Sequence, residues 1–374
     1  MSLKNQLDTV IINNEIMPYR IAFFEALTRY YNIEVFYCSH RSWERDWQLN
    51  AYHLNYPHQF LKGFSLKLRK PLYGEWRTIW INPMLWWHLW RSNPNCIVAY
   101  EYSVPSLVAW LVTMIRGHKL IIWSEMTPFT ERNLSRGQRL TRWILRNRLH
   151  AAIGTSYAAC DTFREAGVKE EKIILATQTI DPIFFEPPPS QKDPFSILYI
   201  GHLNERKGVN HLLYAFQLIL QTIPQATLKL VGNGEHANAL AELTTTLQIN
   251  HAVTFDGFVE PVETQILYAT ASIFVLPSLE DTFGVVAMEA LASNVCLVCS
   301  QYAGASSHLT DGVDSFIVDP YDHRMMAKQT IKLIENADLR QEFNKNGQKV
   351  VMDCHPEVAA EHFANGIRRA LDSD

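Results

Sequence analysis

No stretch of this 374-residue chain is apolar for long enough to cross a bilayer. A spanning helix needs about 20 apolar residues, and the longest runs, such as residues 107–115, end well short of that. The N-terminal text MSLKNQLDTVIINN has no basic segment followed by an apolar one, so no secretory signal is expected. Cysteine is scarce: six residues, at 38, 96, 160, 296, 299 and 354, whose spacing is not that of a disulfide framework. Cys296 and Cys299 form a C-x-x-C, but they sit in an apolar run, residues 295–298 and beyond, that reads as a strand. Positions three apart on a strand face opposite sides, which argues against a shared metal or redox role. Free thiols suit a reducing cytoplasm. No recognised RNA or DNA module is present, so nucleic acid is not an expected partner. The expected location is cytoplasmic, either soluble or peripheral to the inner face of a membrane.

Tryptophan is absent beyond residue 143: all ten lie from Trp43 to Trp143. The net charge of −4 conceals a second asymmetry. Residues 1–180 hold 22 Lys+Arg against 14 Asp+Glu, and the remainder holds 12 against 24. A chain of this length, 47% hydrophobic, can fill two cores. The Pro-rich text after Asp181, ending Phe185-Glu186-Pro187-Pro188-Pro189, is the best boundary. Three segments are therefore expected: residues 1–182, residues 183–356 and a C-terminal helix over residues 357–374.

Both halves repeat a strand, a loop and an amphipathic helix, the pattern of an α/β chain with doubly wound parallel sheets. The first strand is residues 9–12, followed by Asn14, Glu15 and Arg20 in a loop without a glycine-rich turn, a helix over 21–31 and a strand over 33–37. Any ligand contact here would come from Asn14, Glu15 or Arg20. Strands follow at 96–100, 119–123 and from 151, with a buried helix at 106–115. Glu125 stands just past the carboxyl end of the strand 119–123, where open α/β sheets place ligands. Trp76, Trp80, Met84, Trp87 and Trp90 recur at three or four residues, predicting one helical face interrupted by Pro83. That face either packs on the sheet or meets a membrane interface. Arg132, Arg136, Arg139, Arg142 and Arg146 line one side of a further helix, with Leu140 and Ile144 on the other. Such a row is a solvated face, or one that meets anionic lipid head groups or a polyprenyl-phosphate acceptor.

In the second half, residues 196–200 read as a strand, 201–208 as a loop and 209–220 as a helix. Further strands are expected at 228–231, before Gly232-Asn233-Gly234, and at 253–255. The most informative text is ASIFVLPSLEDTFGVVAMEALA. Residues 273–276 form a strand, an acidic loop follows, and Gly284 opens a helix over 285–292 with Thr282 as its N-cap. A strand, a loop and a helix N-terminus together favour an anion, through free N–H groups and the helix dipole. Asp281 and Glu289 would place carboxylates on either side of that terminus. Carboxylates are the groups that best accept the paired O–H donors of a sugar or a ribose.

These residues resemble the P-S-x-x-E-x-F-G-x-x-x-x-E-A text of retaining glycosyltransferases of family 4, the glycosyl transferases group 1. Pro277, Ser278, Phe283, Gly284, Glu289 and Ala290 match, and Asp281 stands one methylene short of the usual first Glu. Gly201-His202-Leu203 to Lys207-Gly208 resembles the G-R-L-x-x-x-K-G segment, with His202 at the Arg position and Arg206 able to supply the charge. Gly232-Asn233-Gly234 and Phe255 to Val259 resemble two further segments in the family's order. The resemblance covers nearly all of the second domain and the first only loosely.

It implies a GT-B fold, two Rossmann-like domains facing a central cleft, with the last helix returning to the first domain. It implies a nucleotide-activated sugar (UDP- or GDP-linked) as co-substrate, transferred with retention to a glycan, lipid-linked or small-molecule acceptor, with no metal and no separate cofactor. The donor would be held by Gly201, His202, Arg206, Lys207, Phe258, Val259, Phe283, Gly284 and Val285. Glu289 would hold the ribose, Asp281 the sugar hydroxyls, and Glu125 the sugar or the acceptor. Asn14, Glu15 and Arg20 would face the acceptor side. A hinge near residues 181–190 would close to exclude water. Two other classes remain: a catalytically silent scaffold of the same fold, for which His202 speaks, and a sugar-nucleotide epimerase, which needs no acceptor.

Overall fold

The computed structural model describes residues 9–40, 52–69, 73, 76–132, 134–189 and 191–373. Trp43, Trp47 and most of the N-terminal text considered above, like Ser190 in the linker, lie outside them. The chain divides into two compact units: Met1–Thr179 with His355–Asp374, and Ile180–Cys354.

The first unit runs β1 (Thr9–Asn13), α1 (Ile21–Leu27), β2 (Ile33–Tyr37), β3 (His58–Phe60), β4 (Phe64–Arg69), β5 (Trp76–Ile81) and α2 (Leu85–Ser92). It continues with β6 (Cys96–Tyr100), α3 (Val104–Arg116), β7 (Lys119–Ser124), α4 (Arg136–Arg146), β8 (Ala151–Gly154), α5 (Tyr157–Glu165) and β9 (Ile173–Leu175). Seven strands form a parallel sheet in the order β3-β2-β1-β6-β7-β8-β9. Its central strands are buried on both faces, which is why TVIIN and CIVAY read as continuous apolar runs without alternation. One face packs on Phe23, Phe24 and Leu27 of α1, the other on Leu85 and Leu89 of α2 and Ala109 and Val112 of α3.

Two expectations for this unit are corrected. Trp76 to Trp90 is not one helix. Residues Trp76–Ile81 pair antiparallel with β4 as a separate hairpin, and α2 begins only after Pro83. The β-branched Thr78, Ile79 and Ile81 between the tryptophans favour the strand, and a three-to-four spacing alone did not expose this. The arginine row is also shorter than its spacing implied. Helix α4 starts at Arg136, behind a capping box in which Ser135 accepts from the Gln138 N–H and the Gln138 side chain accepts from the Ser135 N–H. Arg132 lies in the preceding turn, stacked 4.4 Å over Phe129. Arg142 turns inward to Glu131, and Arg146 donates to the Ala166 carbonyl. Leu140, assigned to the apolar side, is 56% exposed, and Leu145 is the buried residue of the helix.

The second unit runs β10 (Asp193–Ile200), α6 (Val209–Thr222), β11 (Thr227–Val231), α7 (Ala237–Thr246), β12 (Val253–Gly257), α8 (Pro261–Thr270) and β13 (Ala271–Leu276). It ends with α9 (Val285–Ala292), β14 (Cys296–Ser300), β15 (Ser315–Val318), α10 (His323–Glu335) and α11 (Ala337–Val351). The six strands are parallel in the order β12-β11-β10-β13-β14-β15. Cys296 and Cys299 of β14 point into the cores on opposite faces of this sheet, and all six cysteines are buried and unbridged.

The chain then returns to the first unit as α12 (Pro356–Asp372), which packs on α1 and along β7, β8 and β9. Phe363 stands edge-on to Phe23 and to Trp123 at centroid distances of 5.2 and 5.1 Å. Gly366 lies so close to Ile153 that a Cβ there would sit 2.9 Å from its Cδ1.

Each sheet reverses its winding once, between β1 and β6 and between β10 and β13. At such a switch the loops leaving the two strands part to opposite faces and open a crevice at the carboxyl ends. Phe363→Ala should destabilise the first unit by about 3–5 kcal/mol, the usual cost of emptying a buried aromatic site. Tryptophan fluorescence during thermal unfolding reads this unit alone, because every tryptophan lies within it; an unchanged midpoint would mean that α12 contributes little to the fold.

Candidate functional site

In the second unit the loop after β10 and the loop after β13 meet at the switch. Asn204 Oδ1 accepts from the Lys207 N–H at 3.2 Å and closes the short turn Glu205–Lys207. Gly208 follows with φ +64°, and a Cβ there would lie 2.2 Å from the Pro277 carbonyl oxygen. Only glycine both adopts this conformation readily and allows so close an approach. The loops are then laced together: the Leu279 N–H donates to the Arg206 carbonyl and Arg206 Nη1 to the Glu280 carbonyl, each at 2.8 Å. Lys207 Nζ reaches Asp281 Oδ2 at 2.5 Å, with side chains 13% and 8% exposed, and Ser278 Oγ lies 3.4 Å from the same oxygen.

Helix α9 opens from this loop. Its N-cap is Gly284 at φ +92°, with no side-chain cap, and not Thr282. A Cβ at Gly284 would stand 2.8 Å from Leu276 Cδ2, so the chain passes here as bare backbone with its N–H groups uncovered by a capping side chain. Phe283 is fully buried and tilted against His308, so it anchors the loop in the core. Val285 and Glu289 are one turn apart on α9 and both half-buried. Glu289 Oε2 accepts from the Tyr268 hydroxyl at 3.0 Å. Burial, and then the Glu289 charge, push the Tyr268 phenol well above its ordinary pKa, so it remains a donor. Tyr268 was not legible in the sequence, where it reads as one more apolar residue of α8. Around the rim, His202 is exposed and its carbonyl accepts from Tyr199 Oη at 2.8 Å. The Gly201 N–H donates to Val231 O, and Phe258 and Val259 follow β12 half-buried.

The switch of the first unit carries a different cluster. Asn14 and Glu15 lie half-buried after β1, and Asn14 O accepts from the Ser39 N–H at 3.0 Å. Arg20 is 1% exposed, its guanidinium 4.4 Å from the Tyr100 ring and 4.1 Å from the Trp123 ring, two rings that pack edge-to-face on each other. It donates to Glu125 Oε1, to Gln178 Oε1 and to Asn13 Oδ1, and Gln178 Nε2 donates to the same Glu125 oxygen. The structure thus places Arg20 against Glu125, with its guanidinium enclosed.

Behind Glu125 stands a second acid, the half-buried Glu101, which pattern reading passed over because nothing in Tyr100-Glu101-Tyr102 signals its backbone. Its φ is +59°, an uncommon conformation for a residue with a side chain. Its carboxylate accepts from Ser124 Oγ at 2.8 Å and from the Glu125 N–H at 2.7 Å. Burial raises its pKa to about 7; the Glu125 N–H pulls it back and the Glu125 charge pushes it further up, with Ser124 and Arg142 favouring the ionised form.

The folded chain therefore holds this proton more tightly than the unfolded one, whose glutamates titrate near about 4.3. The stabilisation is complete below that value and is lost as pH rises through about 7. Glu101→Gln, which cannot ionise, should flatten the fall in stability that the fluorescence-detected midpoint reports between these two values, at most about 4 kcal/mol in the wild-type chain. A variant with the wild-type pH dependence would remove Glu101 as its source.

Residues 181–350 match the family model described as Glycosyl transferases group 1. The chain is 29% identical over 161 residues to the capsular polysaccharide biosynthesis glycosyltransferase CapM of Staphylococcus aureus, 42% of each chain. It is 31% identical over 173 residues to a D-inositol 3-phosphate glycosyltransferase of Corynebacterium diphtheriae, 45% of this chain and 38% of the relative. The matches thus span less than half the length of these relatives. Among solved structures, Anabaena Alr3699/HepE in complex with UDP superposes with a TM-score of 0.77 at 16% identity, over 97% of this chain and 99% of that one. Sucrose-phosphate synthase from Thermosynechococcus elongatus gives 0.75 at 17% identity, over 97% and 98%. The structural likeness establishes the fold of the chain as GT-B.

Proposed function

The second unit of this chain belongs to the glycosyl transferases group 1 family, and on that premise we propose that the protein is a glycosyltransferase using a nucleotide-diphosphate sugar. The observation that carries the proposal is the meeting of Lys207, Arg206 and Asp281 at the switch between β10 and β13, beside the glycine-opened terminus of α9. This combination supplies cations and N–H groups for a diphosphate and carboxylates for the hydroxyls on either side of it.

In this reading Lys207, Arg206 and the N–H groups after Gly284 hold the diphosphate, with Gly201, His202 and Val285 around it. Glu289, oriented by Tyr268, accepts from the ribose diol. Phe258 and Val259 flank the base. Asp281 exchanges its bond with Lys207 for the sugar hydroxyls when the donor's phosphates arrive. The bond from the anomeric carbon to the phosphate oxygen breaks, and the acceptor hydroxyl oxygen bonds that carbon on the same face, so configuration is retained. The acceptor's proton passes to a leaving phosphate oxygen. Fixed positive charge stabilises the developing diphosphate where a metal would otherwise do so. HepE, the structural neighbour, has been crystallised with UDP, with UDP and glucose, and with UDP-glucose, which favours a UDP-hexose as the donor here. Glu125, locked by Arg20 and Gln178, is the candidate contact on the acceptor side, with Asn14 and Glu15 beside it. A glycan or lipid-linked acceptor, worked on at the inner face of a membrane, completes the reading and is supported by the cationic first unit.

One observation favours a second reading, a donor-binding scaffold without turnover: His202 is exposed where the family text has an arginine. Thermal unfolding with UDP, GDP, ADP and CMP tests both. One diphosphate should raise the midpoint selectively, through about 2.7 kcal/mol of stabilisation at a hundredfold excess over its Kd. Lys207→Ala should weaken that diphosphate about tenfold to a hundredfold, the loss of a charge-assisted bond, and leave the nucleoside unaffected. Glu289→Gln should abolish sugar transfer in a protein that still unfolds at the wild-type temperature. Donor binding without turnover in the wild type would favour the scaffold, and no shift with any nucleotide would overturn the donor site itself.

A further inference from the structure

The layer that covers one face of the first unit's sheet exposes its own outer side among the described residues. The hairpin β4–β5, α2, α3 and α4 adjoin one another: α2 packs on α3, and α3 packs on β5 and on α4. Their inward residues, Trp80, Leu85, Leu89, Ala109, Val112 and Leu145, belong to one core. Their outward residues are not the polar set expected of a water-facing layer. Strand β4 exposes Phe64, Leu66 and Leu68, alternate residues on one face of the hairpin, each about half accessible. Helix α2 exposes Trp86, Trp87 and Trp90. Helix α3 adds Leu111, Met114 and Ile115 at one-turn spacing, and α4 adds Leu140 and Trp143. More than half of the large hydrophobic side chains exposed among the described residues lie in this layer. A contiguous set of this kind marks an interaction surface.

Charge says what it meets. From residue 62 to residue 148 the sequence holds fourteen Lys+Arg and four acids. Of those acids, Glu125 is buried, Glu101 is half-buried with its carboxylate bonded to Ser124 and the Glu125 N–H, Glu131 is paired with Arg142, and Glu75 lies outside the described residues. The cations are interleaved with the rings: the Arg91 guanidinium lies 5.3 Å from the Trp87 ring, and that of Arg116 lies 3.8 Å from the Trp90 ring. Arg136 and Arg139 are exposed on α4 beside Leu140 and Trp143. Tryptophan with its polar edge settles at the head-group level of a bilayer, aliphatic side chains enter just below, and arginine meets the phosphates. A second copy meeting this face symmetrically would set cation against cation. No described helix is long and apolar enough to cross a membrane, so attachment here is to a surface.

We propose that the outer layer formed by β4–β5, α2, α3 and α4 is a docking face for an anionic lipid bilayer. This deepens the peripheral placement given above and rests on it, while standing apart from the chemistry of the donor site.

The test is co-sedimentation of the full chain with vesicles of phosphatidylcholine alone and of phosphatidylcholine with phosphatidylglycerol, with tryptophan emission recorded on the same samples. Partitioning onto the anionic vesicles should be at least about tenfold stronger, should weaken with salt and should shift the emission to the blue. Replacing Arg136 and Arg139 together by Gln, or Trp86 and Trp90 together by Ser, should each weaken it about tenfold or more at an unchanged unfolding midpoint. Equal binding to neutral vesicles, no binding by the folded chain, or binding indifferent to both pairs of substitutions would overturn the proposal. Self-association without lipid that the same substitutions abolish would assign the face to a second copy. The nucleotide-induced midpoint shift separates the two readings: its absence with vesicle binding intact strikes the donor site and leaves the docking face.

Discussion

The approach of Gly208 to the Pro277 carbonyl is the contact on which the candidate donor site depends. A parallel sheet whose winding reverses leaves a crevice, but a crevice holds nothing until its two walls are brought to bonding distance. Removing one side chain lets the backbone after β10 come against the end of β13. From that single approach follow the Leu279–Arg206 and Arg206–Glu280 bonds, and then the placement of Lys207 against Asp281. Main-chain geometry brings the two loops together, and the Lys207 side chain then has only a short gap to cross to reach Asp281. Little rotamer entropy is then left to lose when a ligand arrives.

The two switches treat their carboxylates in opposite ways. In the second unit Asp281 has a lysine partner at the mouth of the crevice, an arrangement that an anionic ligand can rearrange by taking the lysine. In the first unit Glu125 is tied by a buried guanidinium that lies against two aromatic rings, with Gln178 on the same oxygen. A buried arginine clamp of this kind is expensive to break, because removing either partner strands a charge away from water. Glu125 is therefore a fixed reference point and Asp281 an exchangeable one. Glu101, beneath Glu125, adds a group whose charge changes near neutral pH.

Much of this could be read from the residues. Residues 96–100 were legible because every one of them is buried, residues 33–37 because they are mostly β-branched and aromatic, and the helix Val285–Ala292 because Gly284 marks its start. The motif residues around Asp281 and Lys207 were legible because backbone approach demands glycine at fixed positions. What escaped had a common cause: local spacing does not report what a distant element supplies. Trp76, Trp80 and Met84 kept a helical interval while their neighbours favoured a hairpin. The burial of Arg20 was not legible because Tyr100, Trp123 and Glu125, which enclose it, come from distant parts of the chain. Tyr268 gained its partner from α9, and Leu140 stays exposed on α4 among the described residues.

The return of α12 to the first unit makes that unit discontinuous in sequence, and this sets an order of synthesis. A growing chain emits residues 9–179 first, yet the groove lined by Phe23, Trp123 and Ile153 stays open until α12 emerges. The second unit, continuous from Ile180 to Cys354, is released whole before then. Of the two, the part made later is the one able to finish folding earlier. The ribosome-bound intermediate would carry an exposed aromatic groove, the kind of surface that chaperones shield from aggregation.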